Sequence, residues 1–118
     1  MPFDWREFLA VARFLAGHGG IAFSSEAAWR CAVSRAYYAA YCHARNYARD
    51  SNWFSPTNKP KDHGRLRACF QKRSMVAVAS RLDSLRQWRN DCDYADVYVL
   101  PVSLASALAE AQQIIDAL

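Results

Sequence analysis

The 118-residue chain predicts an all-α fold: one domain, spanning residues 1–118, built as a bundle of four to five helices. Three observations predict it. Alanine recurs at every fourth position, at Ala28, Ala32, Ala36, Ala40, Ala44 and Ala48, a spacing that keeps side chains neighbours on a helix with a drift of about 40° per step. Apolar residues elsewhere follow helical rather than alternating spacing. The one stretch of extended character, after Tyr94, has no partner strand in the sequence. The alanine track lets other helices approach the backbone closely, and Tyr37, Tyr38, Tyr41, Tyr47, Arg30, Arg35, Arg45 and Arg49 are expected to fill the remaining surface of that helix.

The elements follow in order. Asp4 with Glu7 three residues later reads as a capping box, opening a helix that carries Trp5, Phe8, Leu9, Ala12, Leu15 and Ala16 inward until Gly17-His18-Gly19-Gly20 stops it. Ser24 or Ser25 caps the long alanine helix, which runs to about Asp50. Residues 51–61 form an irregular loop, with Pro56 and Pro60 blocking regular structure. Trp53 and Phe54 within it are expected to fold back over the edge of the core, with a stacking or docking surface as the alternative. Asp62 is placed as cap of a short third helix carrying Leu66, Cys69 and Phe70 inward. Ser74 is placed as cap of a fourth with Met75, Val78, Ala79, Leu82 and Leu85 buried. An extended connector, Ala95 to Pro101, then leads to a last helix from about Ser103, with Leu104, Leu108, Ala111, Ile115 and Leu118 on one side.

Bulk properties narrow the function classes. An apolar fraction of 53% suits a folded globule rather than a disordered tail. The N-terminus has early charges of both signs and no apolar signal core. The longest uncharged run, Val97 to Ala109, is too short to span a bilayer. A cytoplasmic protein without membrane contact is expected. The net charge of +4 and pI of about 9.0, carried almost wholly by arginine, favour anionic partners such as RNA, nucleotides or an acidic protein. The same charge is common on small proteins with no such partner. The four cysteines, Cys31, Cys42, Cys69 and Cys92, show no paired spacing and read as small buried thiols. Their spacing with His18, His43 and His63 supports no zinc site, and neither a metal nor a cofactor is expected.

The chemistry concentrates in the fourth helix. Extending the stripe Val78, Leu82, Leu85 by four residues reaches Arg89, which at about 100° per residue faces the same way. A charge directed along an apolar stripe must find a counter-charge, because an unpaired buried ion costs several kcal/mol, a figure of roughly 3–5 when one partner is missing. Asp93 one turn on, a neighbouring helix, a second subunit or a bound phosphate can each supply it. Arg86 and Asn90 form an adjacent pair at the same spacing.

The string Ser34-Arg35-Ala36-Tyr37-Tyr38-Ala39-Ala40-Tyr41, then His63-Gly64, then Leu85 to Asp96 with Arg89, Asn90, Asp93 and Tyr94, resembles the HEPN domain superfamily, and within it small stand-alone bacterial HEPN proteins. The resemblance spans about residues 24 to 116. It implies a helical bundle that dimerises and, in many members, a metal-independent endoribonuclease of toxin–antitoxin, CRISPR or phage-defence systems. There an arginine stabilises the phosphate while a histidine four to six positions later assists proton transfer, so that the RNA 2′-hydroxyl attacks the adjacent phosphate. Guanidinium suits a developing phosphorane, and imidazole titrates near neutrality. This chain keeps Arg89 and Asn90 but carries Tyr94 where that histidine would stand. A phenol with a pKa near about 10 is a poor base at pH 7, so the imidazole would have to come from His63 or His43. In some members a nucleotidyltransferase partner modifies a tyrosine beside the motif, a role open to Tyr94.

Three functions stay open. The first is a homodimeric RNA-, nucleotide- or partner-binding module of a toxin–antitoxin or defence-type system, with an antitoxin or nucleotidyltransferase as partner and a cleft built from Arg86, Arg89, Asn90, Asp93, Tyr94, Arg35 and Tyr38. The second is a ribonuclease using Arg89 with Tyr94 or His63. The third is a structural bundle in which Arg89 is locked to Asp93.

Overall fold

Small side chains decide the architecture. In the computed structural model, which describes residues 3–97 and 101–118, five helices form: α1 (Glu7–Gly17), α2 (Ser25–Asp50), α3 (Asp62–Lys72), α4 (Val76–Tyr94) and α5 (Pro101–Ala117). No strand occurs among the described residues. The all-α expectation holds. Helix α2 is the axis, with α1, α4 and α5 packed on it and α3 resting mainly on α4. The alanine column is why: Ala32, Ala36, Ala40, Ala44 and Ala48 are all 0% exposed and Ala28 is 1% exposed. Methyl groups there let neighbouring helices reach the α2 backbone from several sides. The space is filled by Val33, Leu66, Phe70, Leu82, Leu85 and Ile114, all fully buried, each worth about 1.5–3 kcal/mol of transfer free energy.

Both ends of α2 are fixed locally. The Ser24 hydroxyl accepts from the Ala27 N–H at 3.1 Å. At the far end Asn52 adopts φ +62°, while its N–H bonds Arg49 C=O and the Trp53 N–H bonds Ala48 C=O. That is a Schellman stop with asparagine in the left-handed position. It turns Trp53 back against Tyr47, edge to face at 5.5 Å, and against Phe70. Phe54 is buried beside it. The loop aromatics do cover the core edge.

Other expected caps differ. Ser74 does not cap α4; it sits at φ +61° and closes α3, its N–H on Gln71 C=O and the Met75 N–H on Phe70 C=O. It is a second Schellman stop, and Met75 precedes α4 without a side-chain cap. Asp62 opens α3 but turns its carboxylate to the preceding loop, accepting from Thr57 N–H, Thr57 Oγ1 and Asn58 N–H at 2.6–3.0 Å and pairing with Arg65 at 2.8 Å. Asp4 bonds the Arg6 N–H and guanidinium rather than forming a capping box with Glu7, and α1 starts without a side-chain cap. Helix α5 begins at Pro101, where a missing N–H costs nothing.

Ala107, Ala111 and Ile114 form the buried line of α5, with Leu104, Leu108, Ile115 and Leu118 flanking it half-buried. The expected extended connector is seen at Ala95, and its residues 98–100 lie outside the described residues. Cys42 and Cys92 are buried as expected, whereas Cys69 is half-buried and Cys31 exposed. Among the described residues no helix is long and apolar enough to cross a membrane.

Candidate functional site

The C-terminal half of α4 turns one face, Arg86, Arg89, Asn90 and Tyr94, towards α2 and the head of α3. The spacing of three and four residues that aligns them also aligns Tyr38, Tyr41 and Arg45 on α2. Between these faces lies a cleft of about 560 Å³, closed by His63 and by Asn58, Lys59, Pro60 and Asp62 at its rim. Two devices hold it in shape. The buried Asp62 carboxylate ties down Thr57 and Asn58, which fixes the rim. Arg30, projecting from α2, donates to the carbonyls of Cys92 at 3.0 Å, Ala95 at 2.6 Å and Asp96 at 3.3 Å. The Cys92 carbonyl lies in the last turn of α4 and the other two just beyond it, so α4 is fastened to α2 where its functional residues sit.

Charge in the cleft is unbalanced. Arg45, Lys59, Arg86 and Arg89 line it against one carboxylate, Asp62, which the rim already occupies. Arg89 is directed inward with only 12% of its side chain exposed. Its guanidinium carbon lies 5.5 Å from the Tyr37 ring centre and 5.4 Å from that of Tyr38, within cation–π range. Asp93 gives it a single long contact, Nη1 to Oδ2 at 3.4 Å, and Asp93 also accepts from the Ser34 hydroxyl at 3.5 Å. Arg86 makes neither hydrogen bond nor ion pair among the described residues, and the Nε atoms of both arginines are buried without partners.

His63 stands across from these arginines. Its ring stacks on Tyr41 at 4.2 Å between centres, and its Nδ1 is hydrogen-bonded to the Tyr37 hydroxyl. Burial, followed by the charges of Arg89, Arg86 and Arg67, pushes the imidazole down to about 4, with Asp62 opposing. It is therefore neutral at pH 7. Burial raises Tyr37 well above the ordinary phenol range and carries Tyr41 up to about 12, so both keep their protons.

The structure thus brings together Tyr38, His63, Arg86, Arg89, Asn90 and Tyr94 of the sequence-predicted residues. Asp93 joins through Arg89. Arg35 does not line the cleft; its guanidinium lies between the rings of Phe8 and Tyr38, at 5.0 and 5.2 Å. Tyr94 stands at the mouth, 76% exposed. Sequence reasoning missed Tyr37 and Tyr41, placed on the surface yet 1% and 7% exposed, and it missed Lys59 and Asn58 on the rim. The signal for Tyr37 was present: it lies four residues after Val33, which is buried on the same helix face. No cluster of three or more His, Cys, Asp or Glu side chains able to hold a metal occurs among the described residues. Comparison with protein-family models, curated proteins and solved structures finds no match to this chain.

Proposed function

We propose that this chain is a HEPN-like module that binds single-stranded RNA, acting as a homodimer within a toxin–antitoxin or defence-type system. One observation carries the binding proposal: among the described residues Arg86 has no counter-ion and Arg89 has one long contact to Asp93, on the same face of a semi-enclosed cleft. A phosphate diester supplies the missing negative charge and accepts from the planar guanidinium fork. Tyr38, half-buried beside the arginines, favours RNA over a bare anion, because aromatic rings next to backbone-tracking cations are how single strands are held. Tyr94, open at the rim, is accessible to an antitoxin or to a modifying nucleotidyltransferase.

A second reading, a metal-independent ribonuclease, is favoured by His63: a neutral imidazole sharing the cleft with both arginines offers what Tyr94 lacks. One experiment separates the readings. The purified protein is mixed with a labelled single-stranded RNA in EDTA, beside Arg89→Ala and His63→Ala. Retention of intact RNA that Arg89→Ala weakens supports the binding module. Cleavage lost in both variants supports the nuclease. Neither binding nor cleavage leaves the Arg89–Asp93 pair as a structural lock and overturns both.

A further inference from the structure

We infer that Tyr37 is a positioning residue that holds His63 so that the imidazole presents an N–H, not a lone pair, to a phosphate oxygen in the cleft. The inference rests on the reading of the cleft as a phosphate site and assigns one of its donors.

The argument is one of hydrogen-bond satisfaction. The Tyr37 hydroxyl is sealed in the core, the residue being 1% exposed, and its one hydrogen-bond partner among the described residues is His63 Nδ1. If Nδ1 donated, the phenolic hydrogen would be buried with no acceptor, a penalty of about 1–3 kcal/mol. If Tyr37 donates, both groups are satisfied. Nδ1 must then carry the lone pair, and a neutral ring has its proton on Nε2. Neutrality follows from the surroundings: burial first, then Arg89 and Arg86 on α4 and Arg67 on α3, oppose an imidazolium, against Asp62 in its favour. The stack on Tyr41 fixes the ring plane. With Nδ1 turned to α2, Nε2–H is the group left for the cleft that His63 lines. A donor there adds to Arg86 and Arg89 around one anion, and it makes His63 a hydrogen-bond donor to a bound phosphate rather than a base. Phosphate, with acceptors only, is the ligand chemistry such a cluster takes.

Imidazole ¹⁵N shifts of the labelled protein at pH 7 test this without any ligand. A pyridine-type Nδ1 and pyrrole-type Nε2 on His63 are expected; the reverse assignment overturns the inference, whether or not RNA binds. Titration of a short single-stranded RNA then reads the coupling. Tyr37→Phe should weaken binding about fivefold, the equivalent of one neutral hydrogen bond. In a His63→Ala background, where there is no imidazole to orient, Tyr37→Phe should change nothing. An equal loss in both backgrounds makes Tyr37 a packing residue and overturns its positioning role. Absence of RNA binding in the native protein defeats the cleft's proposed function, while the spectrum still decides the tautomer.

Discussion

Arg89 brings its guanidinium into the bundle with only 12% of the side chain exposed, so its neighbours must accommodate it. Two tyrosine faces and one carboxylate at 3.4 Å do so incompletely, which is why the cleft retains a demand for negative charge. The titratable residues there respond the other way. The folded protein refuses a proton on His63 until about pH 4, whereas the unfolded chain accepts one near 6.5. Between those values the unfolded state binds more protons, so stability falls as pH falls through that window. His43, lowered by burial and by Arg6, acts in the same direction. Below it Asp62 takes over: the Thr57 hydroxyl, with the Thr57 and Asn58 N–H groups and Arg65, holds its carboxylate down at about 2 against an ordinary 3.8, so its contribution is lost between those values. Thermal melts should therefore show a midpoint that declines from pH 6.5 to 4, and one that also falls in the alkaline range, where the unfolded chain gives up the protons that burial keeps on Cys42, Tyr41 and Tyr37. In His63→Gln the decline should be shallower. An unchanged slope would mean that His63 is solvated and freely protonated.

At the level of the helix, how the chain stops mattered more than how it starts. The span of α2 was legible because a serine cap and an uninterrupted alanine column mark it directly. Ser74 was not, since one serine between two helical patterns can cap the second or close the first; the choice depends on its backbone adopting φ +61°. Helix α5 misled for another reason. It is apolar on most sides, so large residues do not point to its contact line, and Ala107 and Ala111 do. In the site, Tyr94 entered through the family resemblance, while Arg89 was legible as the extension of an apolar stripe and Arg86 with Asn90 as a pair beside it. The Tyr37–His63 bond was not, because it joins side chains 26 positions apart. Two substitutions examine these elements. Ala36→Leu places a branched side chain at the α2 contact line and should destabilise by about 1–3 kcal/mol, read as a lower denaturant midpoint. Arg30→Ala removes the bonds to the carbonyls at and just beyond the end of α4 and should cost roughly 1–3 kcal/mol. Amide exchange should then rise selectively near Ala95, whose N–H bonds Asp91 C=O; uniform exchange along α4 would deny Arg30 its fastening role.

For the whole molecule, a surplus of four positive charges becomes informative through where it gathers. Arg45, Lys59, Arg86 and Arg89 share one cleft, so a strand laid there releases counterions and its affinity depends on salt. The proposed homodimer should appear in light scattering at twice the 13.4 kDa of the chain, and a monomer at micromolar concentration would contradict the dimer while leaving the cleft, which one chain builds, in place. The sharpest check is the affinity of a single-stranded RNA measured by fluorescence anisotropy across a salt series, for the native protein and for Arg86→Ala and Arg89→Ala. Each variant should bind roughly 10–100-fold more weakly, as loss of a charged hydrogen bond implies, with a salt slope shallower by about 1. Native affinity and slope in both variants would show that these arginines serve only to hold the bundle together.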